Sequence, residues 1–392
     1  MKKEQKRYYF DYAATTPVDK RVLEAMMLYF SDNYGNPSSI HSFGEEANEA
    51  VEKARELIAG YIAALQTEIY FTSSATESNN WALKGIASAN KKKGNRVIIS
   101  SIEHHCVLNT AKWLSQKGFD VVEAKVNSEG FVDPKELKKL INPQTILVSI
   151  MHSNNEIGII EPISEIGKIC KEKGIYFHTD AAQSYGKMPL DVNELNVDLL
   201  TASSHKIYGP KGVAILYVRK GVVIDPLLHG GGQERDKRSS TLNVPGIVGF
   251  GKATELCERE MEKEGKRQTA LRDEIIDFAL KNIPNTHLNG PKDSRLCNNI
   301  NLRFDFIEGE SLLMYLDSRG IAVSTSSACS SPKLEPSHVL IACGIPKEAA
   351  HGSIRISIGR FTTKKDVEYF LKTLEKSVKK LREMSPLNAK NH

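Results

Sequence analysis

Seven short apolar runs alternate with helical patterns through the first two thirds of the chain, and few folds accommodate that alternation. The strand-like runs are Glu68–Thr72, Arg96–Ser100, Val121–Val126, Thr145–Met151, Ile175–Thr179, Val197–Ser203 and Val213–Val218. Between them the pattern predicts helices over Glu45–Leu65, Glu77–Lys92, His105–Lys117, Asp133–Leu140 and Ile163–Lys173. Asp133-Pro134 is an N-cap followed by proline at the first helical position, and Gly174 is placed to end the fifth helix. Strand–helix alternation of this kind predicts an α/β fold built on a mostly parallel sheet covered on both faces. Ligands of such sheets bind beyond the carboxyl ends of the strands. Thr76, His104, Asn155, Asp180 and His205-Lys206 all fall just beyond such ends, so these polar positions are expected to converge on one crevice.

At 392 residues the chain exceeds one ordinary core, and two domains are expected. A long charged helical stretch over Ile247–Ile283 leads into a smaller α+β segment. That segment reads as strand Asn298–Phe304, helix Glu308–Ser318, strands Ile321–Ser324 and Ser353–Ser357, and helix Thr362–Met384. The expected division is a large domain over 16–260 and a small one over 261–392, with the N-terminal segment 1–15 packed on the latter. The 53 basic and 48 acidic residues leave a net charge of +5, too mild to call for nucleic acid or a membrane surface as a partner. No window approaches the ~18 apolar residues a membrane span needs, and the charged start lacks a signal-peptide core. A cytoplasmic protein is expected. The six cysteines form no CxxC and no paired spacing with histidine, which argues against a disulfide framework and a zinc site.

Lys206 follows the run Val197–Ser203 and lies 26 residues after Asp180, which closes Ile175–Thr179. That pair suits pyridoxal 5′-phosphate (PLP), whose aldehyde a lysine holds as a Schiff base and whose pyridine nitrogen an aspartate keeps protonated. Alone, the two equally suit solvated strand-end residues. Phe71-Thr-Ser-Ser-Ala-Thr-Glu-Ser-Asn-Asn80 runs from a strand into a helix, where backbone N–H groups and Thr76 would cradle an anion or simply cap the helix. Ser203 and His205 are placed to add phosphate donors. His104 opens a helix, where it would stack on a flat cofactor and exchange protons near neutral pH. Asn155 and Gln183 are placed to hold a ring oxygen, although Asn155 equally suits a turn. Gly230–Gly232 lacks the spacing of a nucleotide loop. Ser324-Thr-Ser-Ser-Ala-Cys-Ser-Ser-Pro332 surrounds Cys329 with small residues; an exposed thiol there is a nucleophile if a charge or base activates it.

With these pieces in view, the chain resembles the cysteine desulfurases of the NifS/IscS type, within the PLP-dependent aminotransferase-like fold (fold type I). The likeness runs from Asp11-Tyr-Ala-Ala-Thr-Thr-Pro17 and Tyr34-Gly-Asn-Pro-Ser38 through Ile102-Glu-His104 and Asn154-Asn-Glu-Ile-Gly158. It continues in His205-Lys-Ile-Tyr-Gly-Pro-Lys-Gly212, Leu334-Glu-Pro-Ser-His338 and Ile354-Arg-Ile-Ser357. The resemblance implies Lys206 as the Schiff-base lysine, Asp180 as partner of the pyridine nitrogen and His104 as the stacking, proton-transferring group. It implies Gln183 and Asn155 at the ring oxygen, and Ala75, Thr76, Ser203 and His205 at the phosphate, joined by Thr241 from the neighbouring subunit of a homodimer. Arg355, helped by Asn36, would take the carboxylate of L-cysteine, and Cys329 would carry sulfur as a persulfide to acceptor proteins of iron–sulfur assembly or thiolation. No metal is implied. The chain has Ser74, Ser204, Ser240 and Ser326 where the family commonly has glycine, and serine takes positive φ less cheaply. The alternatives are other PLP enzymes of the same fold: a selenocysteine lyase, a β-eliminating lyase or an aminotransferase.

Overall fold

The computed structural model describes residues 6–325 and 335–385. In chain order the elements begin with β1 (Tyr8–Tyr9), α1 (Lys20–Ser31), α2 (Ser42–Tyr61), β2 (Ile69–Thr72), α3 (Ala75–Ala89), β3 (Arg96–Ser100), α4 (His105–Gln116) and β4 (Asp120–Ala124). They continue with α5 (Pro134–Leu140), β5 (Thr145–Ser149), α6 (Ile163–Lys173), β6 (Tyr176–Asp180), β7 (Leu199–Ser203) and β8 (Ala214–Val218). The remainder comprises α7 (Val244–Asn282), β9 (Thr286–Leu288), β10 (Asn299–Phe304), α8 (Gly309–Asp317), β11 (Ile321–Ala322), β12 (Ser324–Thr325), α9 (His338–Ala342), α10 (Lys347–Ala350), β13 (Ser353–Ser357) and α11 (Lys364–Met384).

The principal sheet has seven strands in the order β2-β8-β7-β6-β5-β3-β4. β8 runs antiparallel to both β2 and β7, and every other neighbouring pair is parallel. β2, β3, β5, β6 and β7 therefore share one direction, which puts their carboxyl ends on a single edge. Strands β5, β7 and β8 are buried along their whole length, as a sheet covered on both faces requires. Local signals start and stop the covering helices as read from the sequence. Asp133 accepts the Lys135 N–H ahead of Pro134, and Gly174 closes α6 in the left-handed conformation at φ 66°.

One face and edge of this sheet pack around Ile58, Phe71, Phe177, Tyr185 and Phe250, and the other around Trp81, Val97, Leu147 and Leu216. A further core holds Phe10, Ile275, Leu302, Ile356 and Phe370 against the four-stranded sheet β12-β13-β10-β9. Helix α7 contributes to both: Val244–Cys257 face the first core and Leu271–Ala279 the other. The N-terminal strand pairs in parallel with β11, and Phe10 lies in the smaller core. Residues Val339, Leu340 and Cys343 pack instead on Ile102, Met151 and Ile157, so the C-terminal part touches the large sheet directly.

Two elements differ from expectation. Helix α1 was not among the expected elements, and although Val22 and Met26 are buried, its apolar residues Leu23, Met27, Leu28 and Phe30 are exposed. The run Ile321–Ser324 is two short strands in different sheets: Ile321 and Ala322 pair with β1, Ser324 and Thr325 with β13. A period-2 pattern cannot reveal a change of sheet.

Candidate active site

β7 ends at Ser203 and passes into a single 3₁₀ turn, Ser204–Lys206, beyond the edge where the parallel strands end. The N-terminal segment Ala13–Thr16 forms the floor under this turn. Thr16 donates through its N–H and its hydroxyl to the His205 carbonyl (3.0 and 2.9 Å), and its hydroxyl accepts the Tyr208 N–H (2.8 Å). Lys206 Nζ donates to the carbonyls of Ala13 (2.6 Å) and Ala14 (2.7 Å). Gln183 Nε2 donates to the same Ala13 carbonyl at 3.0 Å, and His205 Nδ1 lies 3.1 Å from the Thr15 hydroxyl. Burial and then the charges of Lys206, Lys211 and Lys187 push His205 down to about 4, so its ring is neutral.

Asp180 closes β6 with a buried carboxylate. Its Oδ2 accepts from Asn79 Nδ2 at 2.6 Å and its Oδ1 from the Ala182 N–H at 2.9 Å. Across from it His104 caps α4, its Nδ1 accepting the Cys106 N–H at 3.2 Å. Burial, with the charges of Lys206 and His105, holds the His104 ring below the ordinary histidine range against the pull of Asp180, leaving a neutral imidazole at pH 7. Asn79 joins Asp180 to Cys106 beside His104, and Gln183, three residues past Asp180, shares the Ala13 carbonyl with Lys206, so the three groups border one crevice. The Cys106 thiol borders this crevice, 3.0 Å from His104 Nδ1 and 3.2 Å from Asn79 Nδ2. Burial pushes it up to about 12, so it is protonated and unreactive.

Ala75 and Thr76 begin α3, with Ser74 as N-cap accepting the Glu77 N–H at 3.2 Å. The first N–H groups of a helix have no intrahelical acceptor, so the turn presents donors and a positive dipole end. Ser203 is buried and its hydroxyl makes no hydrogen bond among the described residues. Ser74 is extended (φ −168°), and neither Ser204 nor Ser240 has positive φ, so serine is accommodated at these three positions without strain. Ser326 lies outside the described residues.

Arg355 sits on β13, paired in register with Ser324 of β12 and Asn301 of β10. One terminal nitrogen donates to Asp11 Oδ1 (2.8 Å) and the other to the Asn155 carbonyl (3.3 Å). Its buried Nε has no hydrogen-bond partner among the described residues. The Asn155 side-chain amide makes no hydrogen bond among the described residues. Its loop is built by Asn154, whose Oδ1 accepts the N–H groups of Glu156 (2.8 Å) and Ile157 (3.0 Å). Gly158 ends the loop at φ 74°, and a Cβ there would stand 2.6 Å from Asn299 Oδ1.

Two predicted positions stand apart. Asn36 is exposed, its Oδ1 accepting the Ser38 N–H, and Thr241 is exposed just ahead of α7; within one chain no side-chain hydrogen bond joins either to the Lys206 crevice among the described residues. Cys329 lies outside the described residues.

Several neighbours carried no local signal. The Ala13–Thr16 floor is one, visible only as part of the Asp11–Pro17 motif. Asn79 is a helix-interior amide whose role depends on Asp180 across the fold. Glu103 and Glu156 are buried carboxyls. Burial, then the charges of Asp180 and Glu161, push Glu103 well above the ordinary carboxyl range. Burial raises Glu156 to about 7 against the Ser337 hydroxyl, 2.5 Å away, and Arg355.

The aminotransferase class-V family matches residues 8–370. The chain belongs to this family. It is 55% identical over 389 residues to a cysteine desulfurase IscS of Methanosarcina thermophila, covering 99% of this chain and 96% of that one. It is also 55% identical to a cysteine desulfurase IscS of Dictyoglomus turgidum, over 97% of each. A solved structure described as a NifS-like protein superposes with TM-score 0.91 at 44% identity, over 96% of this chain and 100% of that one. Class-V aminotransferases of the IscS group are PLP enzymes, and the protein is a PLP-dependent enzyme of this group. The residues present fit the cofactor: a buried carboxylate, a lysine beyond a strand end, a helix start with open N–H groups and the unbonded Ser203 hydroxyl lie along one sheet edge.

Proposed function

We propose that this crevice converts L-cysteine to L-alanine and passes the sulfur to Cys329 as a persulfide. The observation that supports it most directly is the convergence of Lys206, Asp180 and His104 beside Arg355. PLP supplies an electrophilic aldehyde and an electron-accepting pyridinium ring. Lys206 would hold the aldehyde, and its Nζ is the base that would take the proton from the substrate Cα. Asp180 keeps the ring-nitrogen proton in place, steadied by Asn79. His104, neutral at pH 7, would face the cofactor and relay protons. Ala75, Thr76, Ser203 and His205 would hold the phosphate, with Thr241 of a second copy, and Gln183 and Asn155 the ring oxygen. Arg355 grips the substrate carboxylate as a charge-assisted pair, helped by Asn36.

The balance is simple: L-cysteine and the Cys329 thiol give L-alanine and the Cys329 persulfide. The sulfur of the persulfide then passes to an acceptor protein of iron–sulfur assembly or thiolation. Cys106 beside His104 does not compete, because its thiol stays protonated. The protein acts as a homodimer of two-domain subunits divided near residue 260. No helix among the described residues is long and apolar enough to cross a membrane, and free thiol chemistry suits a reducing cytoplasm.

The test compares alanine and sulfide formed from L-cysteine with a thiol reductant, in PLP-loaded parent protein and in Cys329→Ser. Equal alanine and sulfide from the parent, with both nearly abolished in the variant, is the expected result. Activity that survives Cys329→Ser would instead mean direct elimination and remove Cys329 from the reaction.

A further inference from the structure

The segment from Gly230 to Thr241 carries a conformation that L-residues avoid: Glu234, Arg235 and Asp236 are consecutive and left-handed, at φ 48°, 56° and 61°. Tertiary contacts hold it there. The buried Glu234 carboxylate accepts from Arg55 at 2.7 and 2.8 Å and from the Phe71 N–H of β2 at 2.7 Å. The Arg235 guanidinium lies 4.4 Å above the Tyr70 ring. Arg238 then reaches the first turn of α3, where Nε and a terminal nitrogen meet the two oxygens of Glu77 at 2.7 and 3.0 Å. Both side chains of this pair are nearly nine-tenths buried, at 11% and 12% exposure. Glu77 also accepts the Ser73 N–H at 2.9 Å and the Ser73 hydroxyl.

The position of that carboxylate is the point of interest. A glutamate in a first helical turn ordinarily satisfies the dipole and the open N–H groups. Here the same turn begins with Ala75 and Thr76, where a phosphate dianion is proposed to bind, so an unpaired Glu77 would oppose it at close range and low dielectric. Resting on that reading of Ala75 and Thr76, we infer that Arg238 is a positioning residue for the cofactor phosphate. Its bidentate pair cancels the Glu77 charge and holds the Gly230–Thr241 segment against the phosphate helix. Arg238 precedes Thr241 by three positions, so one contact sets the charge of a chain's own helix start and the place from which it lends Thr241 to its partner.

The test titrates full-length, cofactor-stripped protein with PLP and with pyridoxal, which lacks the phosphate, following cofactor absorbance. Arg238→Gln is expected to weaken PLP about tenfold or more, the scale of an unpaired, largely buried charge, and to leave pyridoxal within about twofold. Glu77→Gln in the Arg238→Gln background restores most of the PLP affinity. Glu77→Gln alone removes the opposing carboxylate and leaves the Arg238 cation beside the phosphate helix, so it should bind PLP at least as tightly as the parent even where it costs stability. The inference is overturned if Arg238→Gln binds PLP normally, if PLP and pyridoxal weaken equally, if the double variant recovers nothing, or if Glu77→Gln alone loses tenfold. Thr76→Val separates the two readings. If it weakens PLP but not pyridoxal while Arg238→Gln is silent, only the Arg238 inference fails. If neither variant discriminates, the phosphate does not sit on α3 and both fail.

Discussion

Among the described residues Arg355 donates to a single oxygen of Asp11 and to one backbone carbonyl, and its buried Nε has no partner. Its fork therefore retains donors for a second carboxylate. A lysine presents a point charge in place of that planar fork. Arg355→Lys should raise KM for L-cysteine roughly tenfold or more while changing kcat less, as steady-state kinetics will read. Glu156 carries a pH signature. Its carboxyl is raised from 4.5 to about 7 by burial. The neutral form is thus favoured by folding, and that stability is fully present below about pH 4.5 and lost as pH rises through 7. Denaturation of Glu156→Gln against the parent should show the parent losing on the order of 2–3 kcal/mol relative to the variant between pH 5 and pH 8. An unchanged difference across that range would mean Glu156 is ionised throughout. At this scale the sequence was legible wherever a residue stands beyond a strand end, as Lys206, Asp180 and His104 do. It was silent about Glu156 and Asn79, whose roles come from partners far along the chain.

The Asn154–Gly158 loop places Asn155 beside Arg355 through one side chain and one glycine. Asn154 Oδ1 folds the backbone, and Gly158 at φ 74° passes against Asn299. Gly158→Ala demands both a left-handed alanine and displacement of Asn299. It should cost about 1–3 kcal/mol in chemical denaturation and raise KM for L-cysteine, because the Asn155 carbonyl is an anchor of Arg355. A stable variant with unchanged kinetics would show that the loop relaxes without moving the site. Elements with regular periodicity and local caps were read within a few residues of their observed ends. Helix α1 was missed although it carries a helical period, and the Ile321–Thr325 region because a change of sheet leaves no periodic trace.

Over the whole molecule, α1 and the following loop present Met27, Leu28, Phe30, Tyr34 and Ile40 to solvent, Ile40 being 94% exposed. A run of exposed large apolar side chains along one segment is expected at an association face. Asn36 lies in the same stretch, and the Thr241 side chain is exposed and makes no hydrogen bond among the described residues. Sedimentation should find a dimer. Paired Met27→Lys and Phe30→Lys substitutions should shift it to monomer and weaken PLP retention together, through loss of the partner's threonine. A parent protein that sediments as a monomer would refute the homodimer, and dissociation without loss of PLP would remove Thr241 from the phosphate site.

The order of strands and helices, the caps and the strand-end positions of the lysine, aspartate and histidine were determined by the sequence alone, because each is set by neighbours a few residues away. The floor under Lys206 was not: its acceptors lie 193 and 192 positions upstream, and no local period links them. The same holds for Asn79 under Asp180, for the clamp of Glu234 and Arg238, and for a long helix whose two halves serve different cores. Those contacts exist only once the chain has folded, since loop closure rather than local propensity brings their partners together.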